Sequence, residues 1–257
     1  RINNYGNINN ISSSNADGVR PSINLKSNIK IIDGNGTEED PYRLEGDNDT
    51  NLSGTLLKDR YSGEYLTFGT GENTLYRIVS HENGIGTKIT SVEPLKDSGT
   101  FKEIVFGNNI TFSSTNTIGT FLNGEYLTNY VSNDYANMIE DSSTWYLGTV
   151  GNGTSYKLAK YKDVNMTGYA TSTESKVGLL RMGELMSGQF YRYENNTFYW
   201  TLSPYDSTYL HGLGPYGVSP NLGYLGNYGV KPSLNLKSNV IITSGNGTRQ
   251  NPFKIEL

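Results

Sequence analysis

The sequence predicts an α+β fold, rich in β-strands, with two short helices and a duplicated hairpin that precedes the main domain. Composition is the first observation behind this. Of 257 residues, 35% are hydrophobic and only 18% charged, while Gly (30) and Tyr (20) are abundant, so the strong helix formers are too scarce for long helices. The second is a series of strand-length runs separated by Gly, Asn and Ser punctuation. The third is an internal repeat. Gly18–Glu45 and Gly229–Glu256 align without a gap and share 16 of 28 positions.

Each copy of the repeat runs Pro-Ser-(Ile/Leu)-Asn-Leu-Lys-Ser-Asn-(Ile/Val), then Gly-Asn-Gly-Thr, then Pro-(Tyr/Phe)-(Arg/Lys)-(Leu/Ile)-Glu. Apolar and polar residues alternate on both sides of a glycine turn, which predicts a β-hairpin with one buried face. Asp33, Asn35 and Asp40 have the look of a calcium loop, but the second copy carries Ser244 and Asn251 at two of those places. A turn is therefore the preferred reading, and no cofactor is expected, calcium lacking support. The register of the repeat continues upstream, where Tyr5-Gly6 falls opposite Tyr216-Gly217 and Asn10 opposite Asn221.

Between the copies, Glu64–Phe68, Leu75–Ser80, Thr87–Val92 and Lys102–Phe106 are strand-like runs separated by Gly, Asn and Ser punctuation, which a meander explains most simply. Ile118, Phe121 and Leu122 have helical spacing, as do Tyr135, Met138 and Ile139, with Ser132 placed as an N-cap for the second helix. Thr144–Val150, Tyr156–Tyr161 and Val177–Leu180 are expected strands, Met182–Ser187 one or two helical turns, and Thr197–Leu202 a central strand burying Trp200. Tyr205–Tyr228, dominated by Gly, Tyr, Asn and Pro, is expected to be a long loop.

Several function classes are disfavoured. A formal net charge of −4 with no Lys/Arg run argues against nucleic acid as a partner, since that affinity comes from clustered cations. Cysteine is absent, which removes thiolate nucleophiles and Cys-containing zinc sites. His81 and His211 lack metal-ligand spacing, no Gly-x-Ser-x-Gly elbow occurs, and the Gly-x-Gly pairs sit in hairpin turns rather than before helices. Glu64, Glu93, Glu103, Glu125, Asp134 and Glu184 remain as carboxylates that a glycan-active enzyme would need to pair in space, with Glu184 expected to cap its helix or face solvent. No run approaches the ~20 apolar residues of a membrane span, so any export signal or anchor is expected to lie outside this fragment.

Five stretches together resemble a known module. They are Val177-Gly178-Leu179-Leu180-Arg181-Met182-Gly183-Glu184-Leu185, Tyr199-Trp200-Thr201-Leu202-Ser203-Pro204, Tyr228-Gly229-Val230-Lys231-Pro232-Ser233-Leu234-Asn235-Leu236, Ser143-Thr144-Trp145-Tyr146-Leu147-Gly148 and Thr117-Ile118-Gly119-Thr120-Phe121-Leu122-Asn123-Gly124. The module is found at the C-termini of Gram-positive pilin-like and other secreted surface proteins. It is similar to the C-type-lectin-like fold of formylglycine-generating sulfatase activators. The resemblance spans roughly residues 52–257 and implies a compact α+β domain on the cell surface, with Tyr205–Tyr228 as its variable, ligand-facing region. That family's oxidative chemistry needs cysteines and is not implied here.

The expected organisation is therefore a C-type-lectin-like surface domain over 51–257, with residues 1–50 as the tail of a preceding tandem module. The expected function is non-enzymatic and extracellular: adhesion to a glycan or protein, or a spacer role among neighbouring subunits of a surface assembly. Tyr205, Asp206, Tyr209, His211, Tyr216, Asn221, Tyr224, Asn227 and Tyr228 are the candidate ligand-binding residues, because tyrosine offers a flat apolar face with a polar tip at low entropic cost. Replacing Tyr209, Tyr216 and Tyr224 is expected to remove binding without changing stability. In the first repeat copy, Ile23, Leu25, Ile29 and Ile31 are expected to be buried against residues after 52 or in a neighbouring molecule.

Overall fold

A computed structural model describes residues 21, 23, 29–37, 39–44, 51–82, 86–147, 172–187, 197–214 and 221–257. The first described elements form a two-stranded hairpin, β1 (Ile31–Asp33) and β2 (Arg43–Leu44). After a 3-10 turn at Leu57–Asp59 come β3 (Tyr65–Thr67), β4 (Leu75–Glu82) and β5 (Gly86–Ser91) as a meander. A small hairpin of β6 (Lys96–Asp97) and β7 (Thr100–Phe101) precedes β8 (Glu103–Val105). Three short helices follow, α1 (Thr117–Asn123), α2 (Glu125–Asn129) and α3 (Asn133–Ala136). Then come β9 (Ser143–Tyr146), β10 (Ser172–Ser175), β11 (Val177–Gly178) and α4 (Met182–Ser187). The last third is β12 (Tyr199–Pro204), β13 (Tyr209–Leu213), β14 (Asn221–Gly223), β15 (Asn227–Gly229), β16 (Ser233–Leu236), β17 (Ile241–Ser244) and β18 (Lys254–Glu256). The fold is β-rich α+β, as the composition predicts.

Two five-stranded sheets organise the molecule, in the orders β11-β16-β5-β4-β3 and β14-β13-β12-β15-β8. They share one core, to which the first sheet gives Leu66, Tyr76, Ile78, Ile89 and Leu234, the second gives Trp200, Leu202, Leu210 and Leu222, and α1 gives Ile118, Phe121 and Leu122. Because side chains alternate across a strand, the next residues along, Val79 and Tyr199, meet Leu213 and the α4 region (Leu180, Met182, Leu185) in a second, smaller cluster. Both faces of β5 are consequently covered, and all six of its residues are buried.

Trp200 lies in the middle strand of the second sheet at 1% exposure. Its Nε1 donates to the Ile104 carbonyl at 2.7 Å, and its indole packs against Phe106 and Tyr228. At α1 the Asn116 side chain accepts from Gly119 N at 2.9 Å, and at α3 Ser132 Oγ accepts from Tyr135 N at 3.5 Å. The helix expected through Ile139 stops at Ala136, because the chain beyond it is captured by β16. Glu140 N donates to Asn235 O and Lys237 N to Met138 O.

Two expectations need correction. The hairpin predicted from each repeat copy is shorter than its alternation suggests. In the second copy Ser233–Leu236 leaves to join β5 and β11, and only Ile241–Ser244 and Lys254–Glu256 pair with each other. Tyr205–Tyr228 is not a loop, since its described parts form β13, β14 and most of β15. The expected strand at Tyr156–Tyr161 lies outside the described residues, as does Leu25.

The two repeat copies have the same turn but not the same surroundings. Asn35 N donates to Asp40 O and Asn246 N to Asn251 O, both at 3.0 Å. Asn35 Oδ1 accepts from Thr37 N, as Asn246 Oδ1 does from Thr248 N. The glycines at 34, 36, 245 and 247 all have φ between 76° and 90°, a region L-residues rarely enter. Yet Ile23, Ile29 and Ile31, expected to be covered, are exposed in this chain. The first hairpin touches the main domain through its turn and β2: Arg249 N donates to Glu39 O at 3.2 Å, and Arg43 lies 3.9 Å from Glu64.

Candidate functional site

After Pro204 the chain reverses through a turn that Asp206 holds. Its Oδ1 accepts from Thr208 N at 2.7 Å and Tyr209 N at 2.8 Å, while Tyr205 N donates to Tyr209 O at 2.9 Å. This is the ordinary use of an Asp side chain in a tight turn. It fixes the two flanking tyrosines, which are 46% (Tyr205) and 42% (Tyr209) exposed.

Alternation along β13 puts Tyr209 and His211 on one face while Leu210 enters the main core. Asn221 lies opposite His211 and Gly223 opposite Tyr209. The rings of Tyr205 and His211 meet edge to face, with centroids 5.2 Å apart. Burial pulls the His211 pKa below its ordinary value, so the imidazole is neutral at physiological pH. The face formed by Tyr205, Tyr209, His211 and Asn221 thus presents aromatic surface, hydroxyls and a carboxamide without a cation.

The other predicted residues are placed differently. Tyr224 and Tyr228 are half-buried against the main core, with Tyr228 edge-on to Trp200 at 4.9 Å. Asn227 is exposed on β15, across β12 from β13, and is paired with Val105. Tyr216 lies outside the described residues. The structure therefore brings together Tyr205, Asp206, Tyr209, His211 and Asn221, sets Asn227 and Tyr228 on β15, and keeps Tyr224 beside the turn, its N donating to Thr208 O at 3.3 Å, while its side chain packs on the core.

Five of the six carboxylates singled out in the sequence are engaged, on different elements, while Asp134 lies in the first turn of α3. Glu64 is bound by Arg60, Glu93 by Lys96 and Glu125 by Lys102, and Glu103 accepts from Thr197. Burial raises the Glu64 pKa despite the opposing arginines. Glu184 does cap α4, accepting from Arg181 N at 3.0 Å, but it is buried rather than facing solvent. Its other oxygen accepts from Lys88 Nζ at 3.1 Å, and Lys88 lies over the Trp145 ring. Beside Lys88, across the β5–β16 ladder, stands Asn235, whose buried Oδ1 has no hydrogen-bond partner among the described residues. Sequence reasoning missed this polar cluster, because Lys88 alternates with Ile89 in the manner of a solvent-facing residue. Among the described residues no group of three His, Asp or Glu is placed to hold a metal.

Compared with protein-family models, curated proteins and solved structures, the chain matches none of them.

Proposed function

We propose that the chain is a non-enzymatic module displayed on a bacterial cell surface, and that it acts in adhesion through the face made by Tyr205, Tyr209, His211 and Asn221. The observation that carries this reading is the exposed tyrosine pair, fixed by the Asp206 turn beside a buried neutral imidazole. A preorganised aromatic face with polar tips suits a glycan or a polar protein surface. The motif Tyr199-Trp200-Thr201-Leu202-Ser203-Pro204 and the later Gly229-Val230-Lys231-Pro232 run support a C-type-lectin-like fold of the kind borne by Gram-positive pilin-like proteins. The exposed apolar face of β1–β2 favours a second reading, in which the module serves assembly and has no ligand of its own.

A glycan array separates the two. Tyr205→Ala with Tyr209→Ala is expected to abolish binding while leaving Tm unchanged, because both rings are largely exposed. Tyr228→Ala is expected to lower Tm by removing the contact with Trp200. If no glycan or surface protein binds, or if the Tyr205/Tyr209 variant binds as well as the parent, the adhesive reading fails.

A further inference from the structure

The repeat supplies an internal control that shows what an apolar hairpin of this sequence is built to contact. In the second copy Leu234, Val240, Ile242 and Phe253 are 0% exposed, whereas their counterparts in the first, Ile23, Ile29, Ile31 and Tyr42, are 79%, 38%, 56% and 53% exposed. The turns of the two copies match in φ, in their Asn–Thr hydrogen bonds and in the ring that lies over the second glycine. A Cβ on Gly36 would stand 2.5 Å from Tyr42, and one on Gly247 2.6 Å from Phe253. The hairpin and its turn are therefore equivalent in the two copies, and what differs there is the covering.

The covering of the second hairpin is residues 52–68. Gly54 N donates to Ile242 O at 2.7 Å, Ile242 N to Thr55 O at 2.9 Å and Leu57 N to Val240 O at 2.9 Å. Thr67 N donates to Phe253 O at 2.8 Å, Phe253 N to Tyr65 O at 3.0 Å and Tyr65 N to Gly247 O at 2.8 Å. Leu52, Leu57, Leu66 and Phe68 bury Val240, Ile242, Phe253 and Ile255 in the main core. That segment serves one hairpin and is committed to the second. A second copy of this chain cannot spare its own segment without exposing its own β17–β18, which disfavours self-association.

We propose that β1–β2 is a closing hairpin donated to another module of the same architecture, in the same polypeptide, whose equivalent of residues 52–68 covers Ile29, Ile31 and Tyr42 as residues 52–68 cover Val240, Ile242 and Phe253. This goes beyond the adhesive reading and does not depend on it. The sequence upstream of the first copy agrees, since Tyr5-Gly6 and Asn10 keep the register of Tyr216-Gly217 and Asn221, the stretch that leads into a closing hairpin. An exposed two-stranded hairpin with apolar side chains is marginal in water and open to added strands. Its retention beside a finished domain is explained when it completes another.

The test is a tandem polypeptide in which residues 51–228 are fused to residues 18–257, so that the first repeat copy closes the leading module while the full trailing domain is kept. Hydrogen exchange at Ile31 and Tyr42 is expected to be fast in the single chain and strongly slowed in the tandem. Ile29→Ser, Ile31→Ser and Tyr42→Ser together are expected to leave the single chain's Tm unchanged and to lower the leading module's Tm by about 10 °C or more. Unslowed exchange in the tandem overturns the proposal, as does a Tm loss in the single chain. Concentration-dependent dimerisation of the single chain that the same three substitutions abolish also overturns it, by giving the face to a second copy.

Discussion

Trp200→Ala tests the centre of the fold. The side chain is 1% exposed, lies between Phe106 and Tyr228, and its Nε1 donates to Ile104 O at 2.7 Å. Truncating a buried Trp to Ala costs about 3–5 kcal/mol through lost transfer energy and the cavity left behind. The Ile104 carbonyl also loses its donor, a cost of about 1–3 kcal/mol where water cannot replace it. Trp200→Phe helps to separate the two contributions, since it keeps much of the packing while removing the N–H and a small part of the ring volume. Urea denaturation followed by the fluorescence of Trp145, the other tryptophan, is the assay. The expected result is a lower midpoint at constant m-value, with Trp200→Ala losing at least twice as much as Trp200→Phe. A loss of under about 1 kcal/mol for Trp200→Ala would place the residue outside a well-packed core and refute the central-strand assignment.

Two further predictions concern buried charge. Burial, reinforced by Arg77 and opposed by Glu93, pulls the Lys231 pKa down from its ordinary value of about 10.5 to about 7. Between those two values the unfolded chain holds a proton that the folded chain lacks, so stability should rise as pH goes from 7 to 9, by at most about 1.4 kcal/mol per pH unit for one proton. Tyr76 and Tyr126, whose pKa values are raised by burial, work in the opposite direction only once the unfolded tyrosines ionise near 10. Lys231→Met should flatten the slope over pH 7–9, and an unchanged slope would show that another group is responsible. For the Lys88–Glu184 pair, Glu184→Gln leaves a buried ammonium without its counter-charge and should cost about 3–5 kcal/mol. The double variant Lys88→Met/Glu184→Gln, which keeps an acceptor for Arg181 N, should recover part of that loss, and additive losses in the double-mutant cycle would mean that the two residues do not act as a pair.

What was legible in the sequence is what local alternation and chain punctuation encode. Leu75–Ser80 and Thr87–Val92, strand-length runs bounded by Gly and Asn, fall within or overlap β4 (Leu75–Glu82) and β5 (Gly86–Ser91). Reading glycine as the mark of a loop is the error that hides the strands within Tyr205–Tyr228. Gly212 sits in the middle of β13, where an added Cβ would stand 2.2 Å from Leu222 and 3.2 Å from Tyr199 O, so here glycine marks close approach within a sheet. That error also merged two tyrosine sets into one candidate site. The Asp206 turn and the alternation of β13 leave Tyr205 and Tyr209 exposed, while Tyr224 and Tyr228 pack on the core. The Lys88–Glu184 pair was illegible for another reason. A polar residue alternating with apolar ones implies solvent only when one face of the sheet is open, and α4 closes the second face over β5.

The two repeat copies separate what a sequence fixes locally from what only tertiary partners supply. Both form the same turn, with the same Asn–Thr bonds and the same left-handed glycines, although Asp33 has become Ser244 and Asp40 Asn251. Turn geometry thus tracks the Gly-Asn-Gly-Thr core and not the variable carboxylates, and that weakens the case for a calcium loop more directly than composition does. Burial follows no such rule. Ile31 and Ile242 are the same residue at the same place in the same hairpin, yet one is 56% exposed and the other 0%. The hydrophobic pattern of a segment states which face needs a partner, and it does not say whether the partner lies in the same module. For the second copy residues 52–68 are that partner, while for the first the requirement stands unmet among the described residues. An apolar face kept through duplication without local cover is therefore a statement about assembly, and it makes the β1–β2 hairpin as informative about function as the tyrosine face.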